Sequence, residues 1–312
     1  MLSILTLIAG LVVLVFAGDY LVRGAVALAE KLSIDPLIIG LTIVAFGTSA
    51  PEMFVSLQAA FDGVSGIAVG NVVGSNIANV LLVLGGPALL MSISCREKGI
   101  GMSLAVMIFM TLTLMVMMWF GPLSRLDGAI LLIMMGSYLG WQIKAARECG
   151  MGPASDYHSE VADVPQENWK TGAFILGGLI GLPIGAWLTV NGASHIARML
   201  GASETVIGLT IVAIGTSLPE LVTSVMAAWR KSGAVAIGNV VGSNIFNIGL
   251  ILGGTSVILP LEVDPRITSI DMWVMLAAGL LVVGLAHWNI AIKKLGGVAM
   301  LLVFAAYIFS VF

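Results

Sequence analysis

The chain has 312 residues, of which 59% are hydrophobic and only 10% charged, with a mean hydropathy of +1.07. A water-soluble core cannot hide that much apolar surface, so the composition excludes a soluble globular protein and defines an integral membrane protein. The formal net charge of −3 excludes a polyelectrolyte partner, and no basic run with interleaved aromatics points to nucleic acid.

Ten apolar stretches are predicted along the chain, each long enough to cross a hydrocarbon core of roughly 30 Å as a helix. The first, 2–29, has no basic leading segment and no small-residue cleavage site, so it reads as a span rather than a signal peptide. The second, 36–61, carries GTSAPE midway, and the third, 66–92, carries GNVVGSNIAN. The fourth and fifth cover 102–120 and 126–145. A polar segment then runs through KAARECGMGPASDYHSEVADVPQENWK; its acids are spaced too irregularly for a calcium loop, and it reads as a linker. The remaining five cover 171–198, 204–228 with GTSLPE, 234–260 with GNVVGSNIFN, 268–287 and 295–311. This divides the chain into an N-terminal repeat (1–146), a linker (147–170) and a C-terminal repeat (171–312). Two cysteines, Cys95 and Cys149, are too few for a disulfide framework and read as free thiols.

The two halves are copies. A shift of 168 residues lays 39–86 on 207–254 without a gap, with identity at 29 of 48 positions. Each half holds five spans, an odd number, so the second copy must enter the membrane from the opposite side. The expected architecture is all-α, ten transmembrane helices arranged as two inverted five-helix repeats, a pattern of secondary transporters. With the N-terminus outside, the inward loops carry ten lysines and arginines and the outward ones only Arg125, Arg198 and Arg266. That asymmetry predicts both termini outside and the linker in the cytoplasm.

Glu52 lies 16 residues past Pro36 and Glu220 lies 16 past Glu204, which puts both near mid-bilayer. An isolated carboxylate there costs at least about 2.5 kcal/mol, so each must face a partner or water. Pro51 and Pro219 cannot donate a backbone hydrogen bond, and Gly47 and Gly215 loosen the turn before them. The helix is predicted to break at both motifs, freeing carbonyls such as those of Ala45, Thr48, Ala213 and Thr216. Hydroxyls of Thr48, Ser49, Ser75, Thr216, Ser217 and Ser243 and amide oxygens of Asn79 and Asn247 complete a set of hard oxygen donors. With no cysteine or histidine in either motif, the set suits Ca2+, Na+ or Mg2+ rather than zinc or copper, and its many flexible oxygens suit Ca2+ better than Mg2+. The formal charge of −2 is balanced by one Ca2+, two monovalent cations or two protons. Taken singly, such serines and glycines serve backbone bonding and helix packing; the duplicated constellation around two glutamates is what points to a site.

Asp19 and Arg23 stand four apart in the first span and are expected to pair with one another, outside the site. His195 and His287 fall near span ends and His158 in the linker. With no nucleophile beside a histidine and no phosphate-binding glycine loop, the sequence offers neither a cofactor site nor the groups of an enzyme.

At GTSAPE with GNVVGSNIAN, and again at GTSLPE with GNVVGSNIFN, the chain resembles the cation/calcium antiporter superfamily, in its prokaryotic sodium/calcium exchanger branch. The resemblance covers essentially the whole chain and implies exchange of Na+ for Ca2+ by alternating access, in the cell membrane and with no oligomer required. It implies that Glu52 and Glu220 bind Ca2+ together with carbonyls at Thr48 and Thr216. Sodium is implied at the same glutamates, at Ser49, Ser75, Ser217 and Ser243, and at carbonyls of Ala45 and Ala213, with Asn79 and Asn247 at the polar end of each second motif. In the potassium-dependent branch the place of Asn247 holds an acid, so asparagine there implies potassium independence. Residues 2–29 and 171–198, which lack the motifs, match the spans that slide across the ion-binding core. A calcium/proton antiporter using the same glutamates is the alternative.

Overall fold

The computed structural model describes residues 2–149, 163–201 and 213–311. Among these, regular structure is helical, apart from two single-pair bridges, Ile93 with Ile292 and Leu123 with Leu261. The helices are α1 (Leu2–Leu32), α2 (Pro36–Thr48), α3 (Ala50–Phe61), α4 (Ser65–Ala88), α5 (Ile100–Trp119), α6 (Arg125–Cys149), α7 (Asn168–Met199), α8 (Ala213–Thr216), α9 (Leu218–Trp229), α10 (Gly233–Ile258), α11 (Ile267–His287) and α12 (Lys294–Val311). Eight of the described helices are long and apolar enough to span a membrane, or nine if α2 and α3, bent by 43°, form one span. The expected span 204–228 is represented by α8 and α9; its residues 204–212, like 150–162 of the linker, lie outside the described residues.

The centre is built from α4 and α10. In α10, 94% of the apolar window is buried, against 28% in α1 and α7, so α10 has no lipid face to spare while α1 and α7 lie at the periphery. One large apolar cluster surrounds α4 and α10 with residues of α5, α6, α11 and α12. A second, smaller one joins α1 to α7 through Leu14, Leu21, Val22 and Leu182 and reaches the centre through Val44, Ala227 and Val235. Exposed Trp119, Trp169, Trp229 and Trp288 cap span ends, where amphipathic rings favour the membrane–water boundary.

Helices α1 and α7 cross in backbone contact and run antiparallel. A methyl group built on Gly10 would fall 2.5 Å from the Thr189 backbone nitrogen, one on Gly178 would fall 2.9 Å from the Leu21 Cα, and one on Gly192 would meet the Leu7 nitrogen at 2.6 Å. As the residue number rises along one helix, it falls along the other. The contacts repeat with the sequence: Gly178 and Thr189 are Gly10 and Leu21 shifted by 168. Asp35 opens α2, its Oδ1 accepting from the Leu37 backbone N–H at 2.8 Å ahead of Pro36, a favourable first helical residue. Wide π-type turns at Asn79–Leu84 and Asn247–Leu252 interrupt α4 and α10 at equivalent positions, a distortion frequent at functional sites.

Candidate cation site

Both glutamates sit at helix breaks of nearly identical geometry. Ser49, between α2 and α3, has φ −82° and ψ 4°; Ser217, between α8 and α9, has φ −86° and ψ 4°. Pro51 and Pro219 follow in the first turn, where a missing N–H costs nothing. Glu52 and Glu220 thereby occupy the first turns of α3 and α9, where the helix dipole favours a negative charge. Gly47 and Gly215 let both breaks approach α7: a methyl group would fall 1.9 Å from Leu179 Cδ2 at the first and 2.1 Å from Val190 Cγ2 at the second.

The break does not free the Ala45 carbonyl. It accepts from the Ser49 backbone N–H at 3.1 Å and from the Thr48 hydroxyl at 3.3 Å. In the second copy the Ser217 N–H turns to Ile214 O at 3.1 Å.

Glu52 and Glu220 are both fully buried, yet three of their four carboxylate oxygens have no hydrogen-bond partner among the described residues. The fourth, Glu220 Oε1, accepts from Ser49 Oγ at 3.2 Å, so the acid of the second copy reaches the break of the first. The equivalent Ser217 Oγ has no partner, nor do Oδ1 of Asn79 and Oδ1 of Asn247. Helix α3, which carries Glu52, packs on the turn Asn247–Leu252 of the other copy, and α9, which carries Glu220, packs on Asn79–Leu84. Thr48 Oγ1 donates to Asn239 Oδ1 at 3.0 Å and lies 3.4 Å from Ser243 Oγ. Ser75 is buried in the same segment of α4, while Thr216 is half-buried. Of Ala213 only the backbone is described.

Two pairs of residues at the site escaped the sequence reading. Asn71 Nδ2 donates to the Glu52 carbonyl at 3.3 Å and to Ser56 Oγ at 3.0 Å; Asn239 Nδ2 does the same for the Glu220 carbonyl at 3.3 Å and Ser224 Oγ at 3.2 Å. These amides brace α4 against α3 and α10 against α9. Their recurrence at the 168-residue shift was the available signal. The pair expected inside α1 forms, with Arg23 Nη1 3.4 Å from Asp19 Oδ2, and Asp19 has a second, nearer partner that was not expected, Arg230, with Nε at 2.7 Å.

Among the described residues no group of three or more histidine, cysteine, aspartate or glutamate side chains converges. The site is two acids with neutral oxygens around them, a donor set for hard cations.

The family description "Sodium/calcium exchanger protein" matches residues 2–144 and 169–312. The chain is similar to inner membrane protein YrbG of Escherichia coli (strain K12), 37% identical over 299 residues that cover 95% of this chain and 92% of that one. It is also similar to sodium/calcium exchanger MaX1 of Methanosarcina acetivorans, 32% identical over 345 residues that cover 99% and 98%. Its fold is similar to a solved structure of the sodium-calcium exchanger NCX_Mj, with a TM-score of 0.85 at 33% identity over 99% of this chain and 98% of that one. Fold and relatives define the class, a membrane-embedded antiporter of cations. The chain belongs to the sodium/calcium exchanger family, a family of transporters rather than enzymes.

Proposed function

We propose that the chain exchanges Na+ for Ca2+ by alternating access, with Glu52 and Glu220 as the shared cation ligands. The observation that carries this is the set of six buried oxygens without protein partners: both of Glu52, one of Glu220, and those of Asn79, Asn247 and Ser217. Leaving buried acceptors unpaired costs about 1–3 kcal/mol each and more when charged, a cost that a bound cation offsets. The hydroxyls of Thr48, Ser49, Ser75, Thr216 and Ser243 and the carbonyls of Thr48, Ala213 and Thr216 fill out the proposed ligand set. A solved structure of NCX_Mj soaked with Na+ and Ca2+, 32% identical with a TM-score of 0.84, supports the same ions as cargo.

Full burial of both acids means that a cation reaches them only after helices move. The proposed movers are α1 and α7, which pack on their own apolar cluster. Their antiparallel crossing supports the inverted-repeat reading with ten spans. The lysine and arginine distribution supports external termini and a cytoplasmic linker, and the name of the inner-membrane relative supports a cell-membrane location. Asparagine at 79 and 247 leaves the site with charge −2 from its two glutamates, so loading with more than two Na+ carries net charge. Exchange is then electrogenic and needs no K+. A monomer contains every proposed ligand.

The test is 45Ca2+ uptake into proteoliposomes under Na+, H+ and K+ gradients imposed one at a time. An outward Na+ gradient alone is expected to drive uptake, faster when a valinomycin clamp makes the lumen positive, because more than two Na+ leave for each Ca2+ that enters. Uptake driven by a pH gradient without Na+ would replace this reading with calcium/proton exchange.

A further inference from the structure

Where α4 and α10 cross, four asparagines form a closed set of hydrogen bonds. Asn76 Nδ2 donates to the backbone carbonyl of Asn244 at 3.3 Å, and Asn244 Nδ2 donates to the backbone carbonyl of Asn76 at 3.4 Å. A backbone carbonyl can only accept, so these two bonds fix which end of each side-chain amide is nitrogen. The oxygen ends of Asn76 and Asn244 must then face donors. They do: Asn247 Nδ2 lies 2.9 Å from Asn76 Oδ1, and Asn79 Nδ2 lies 3.0 Å from Asn244 Oδ1.

The consequence passes to the next pair. With their nitrogens committed to the clamp, Asn79 and Asn247 are left with Oδ1 free, and both of those oxygens are buried without a protein partner. Rotating either amide by half a turn would set two acceptor oxygens against each other in the clamp and aim an NH2 group where the oxygen stood. An NH2 group repels a cation that the oxygen would bind.

We infer that Asn76 and Asn244 are positioning residues that set the polarity of the cation site, by holding the amides of Asn79 and Asn247 oxygen-first. The inference rests on the proposal that Asn79 and Asn247 are cation ligands. The clamp is also a device for selectivity against empty rotation: the backbone of each α4–α10 partner dictates the side-chain orientation two bonds away.

The test compares half-saturating Ca2+ (KM), Vmax and elution volume in detergent for the wild type, Asn76→Leu, Asn247→Asp and their combination. Leucine is close to asparagine in size but accepts no bond, so it releases the Asn247 amide to rotate. Asn76→Leu is expected to raise KM about ten-fold or more, the loss of one bond to a charged group. In the Asn247→Asp background both terminal oxygens are acceptors and rotation changes nothing, so the added Asn76→Leu should shift KM by less than about three-fold. An equal KM shift from Asn76→Leu in both backgrounds would show that the residue acts by packing and overturn the inference. If Asn76→Leu does not elute as a folded protein, the mirror set of Asn244→Leu with Asn79→Asp carries the same comparison. An unchanged KM in Asn247→Leu would overturn the ligand assignment itself, a failure distinct from that of the clamp.

Discussion

Arg230, in the turn after α9, brings Nε to 2.7 Å and Nη2 to 2.6 Å from Oδ1 of Asp19 on α1. Arg23 approaches the other carboxylate oxygen at 3.4 Å and donates through Nε to the Asp163 carbonyl at 2.9 Å, which extends the contact to the end of the linker. The helix that carries Glu220 at its start is thus latched at its far end to a peripheral helix.

The side chains of Asp19 and Arg230 are only 12% and 22% exposed, so the pair is partly shielded and each charge depends on the other. Asp19→Asn or Arg230→Gln is expected to lower stability by about 1–3 kcal/mol, read by thermal unfolding in detergent. The double substitution should cost less than the sum of the two; strict additivity would show that the two residues do not interact.

Glu52→Gln and Glu220→Gln should each abolish Na+-driven 45Ca2+ flux without loss of the folded species. In the cation-free protein neither should be less stable than wild type, because a buried charge is removed, Glu52 has no bond to lose, and the amide oxygen of a glutamine at 220 still accepts from Ser49. Undiminished flux in either variant removes that glutamate from the site.

Ser49 and Ser217 occupy equivalent breaks but differ in bonding, which separates their roles. Ser49→Ala removes the 3.2 Å donation to Glu220 and should cost about 1–2 kcal/mol of stability as well as cation affinity. Ser217→Ala removes a hydroxyl with no protein bond, so it should weaken Ca2+ or Na+ binding with stability unchanged. Calorimetric titration beside a melting curve distinguishes the two.

A methyl group at position 215 meets Cγ2 of Val190, a β-branched side chain with little freedom, whereas one at 47 meets the flexible tip of Leu179. Gly215→Ala is therefore expected to destabilise by about 1–3 kcal/mol and Gly47→Ala by less. Val190→Ala should restore the Gly215→Ala protein toward wild-type melting; no recovery would mean that the collision lies elsewhere.

Cys95 is buried in the connection between α4 and α5, and burial pushes its thiol up to about 12. The native fold therefore favours the neutral thiol: its contribution to stability is whole below the unfolded pKa of about 8.5 and is lost as pH rises from there toward 12. In a Cys149→Ser background, maleimide labelling at pH 8 should be negligible in the native protein and complete after denaturation in SDS. Rapid native labelling would show the connection to be open.

The spans, the copied halves and the breaks at Ser49 and Ser217 were legible in the sequence, because hydropathy, a 168-residue repeat and proline chemistry each leave a local signature. The resemblance named the family that the comparisons then showed. What escaped depends on which face of a helix meets which neighbour. GNVVGSN holds Asn71, Asn76 and, three positions beyond it, Asn79, and the pattern cannot say which one braces a glutamate carbonyl, which clamps the facing helix and which leaves an oxygen free. A sequence separation of 211 hid the pairing of Asp19 with Arg230 behind the nearer Arg23. The carbonyl of Ala45 was expected to be released by the break, but a proline at position 51 removes the bond to residue 47 and leaves the Ser49 N–H to close on Ala45.

The backbone-to-backbone crossing of α1 with α7 bears on leakage. At Gly10, Gly178 and Gly192 the two helices are so close that not even a methyl group fits between them, and residues on either side interlock. Helices joined in that way have no room to travel separately, so in the alternating access proposed above they would behave as a single bolt with the helices of the two glutamates as its housing. A bolt drawn back from one face of the membrane would be pushed home at the other, and one rigid part would thereby do the work that two independent gates would need a signal to coordinate.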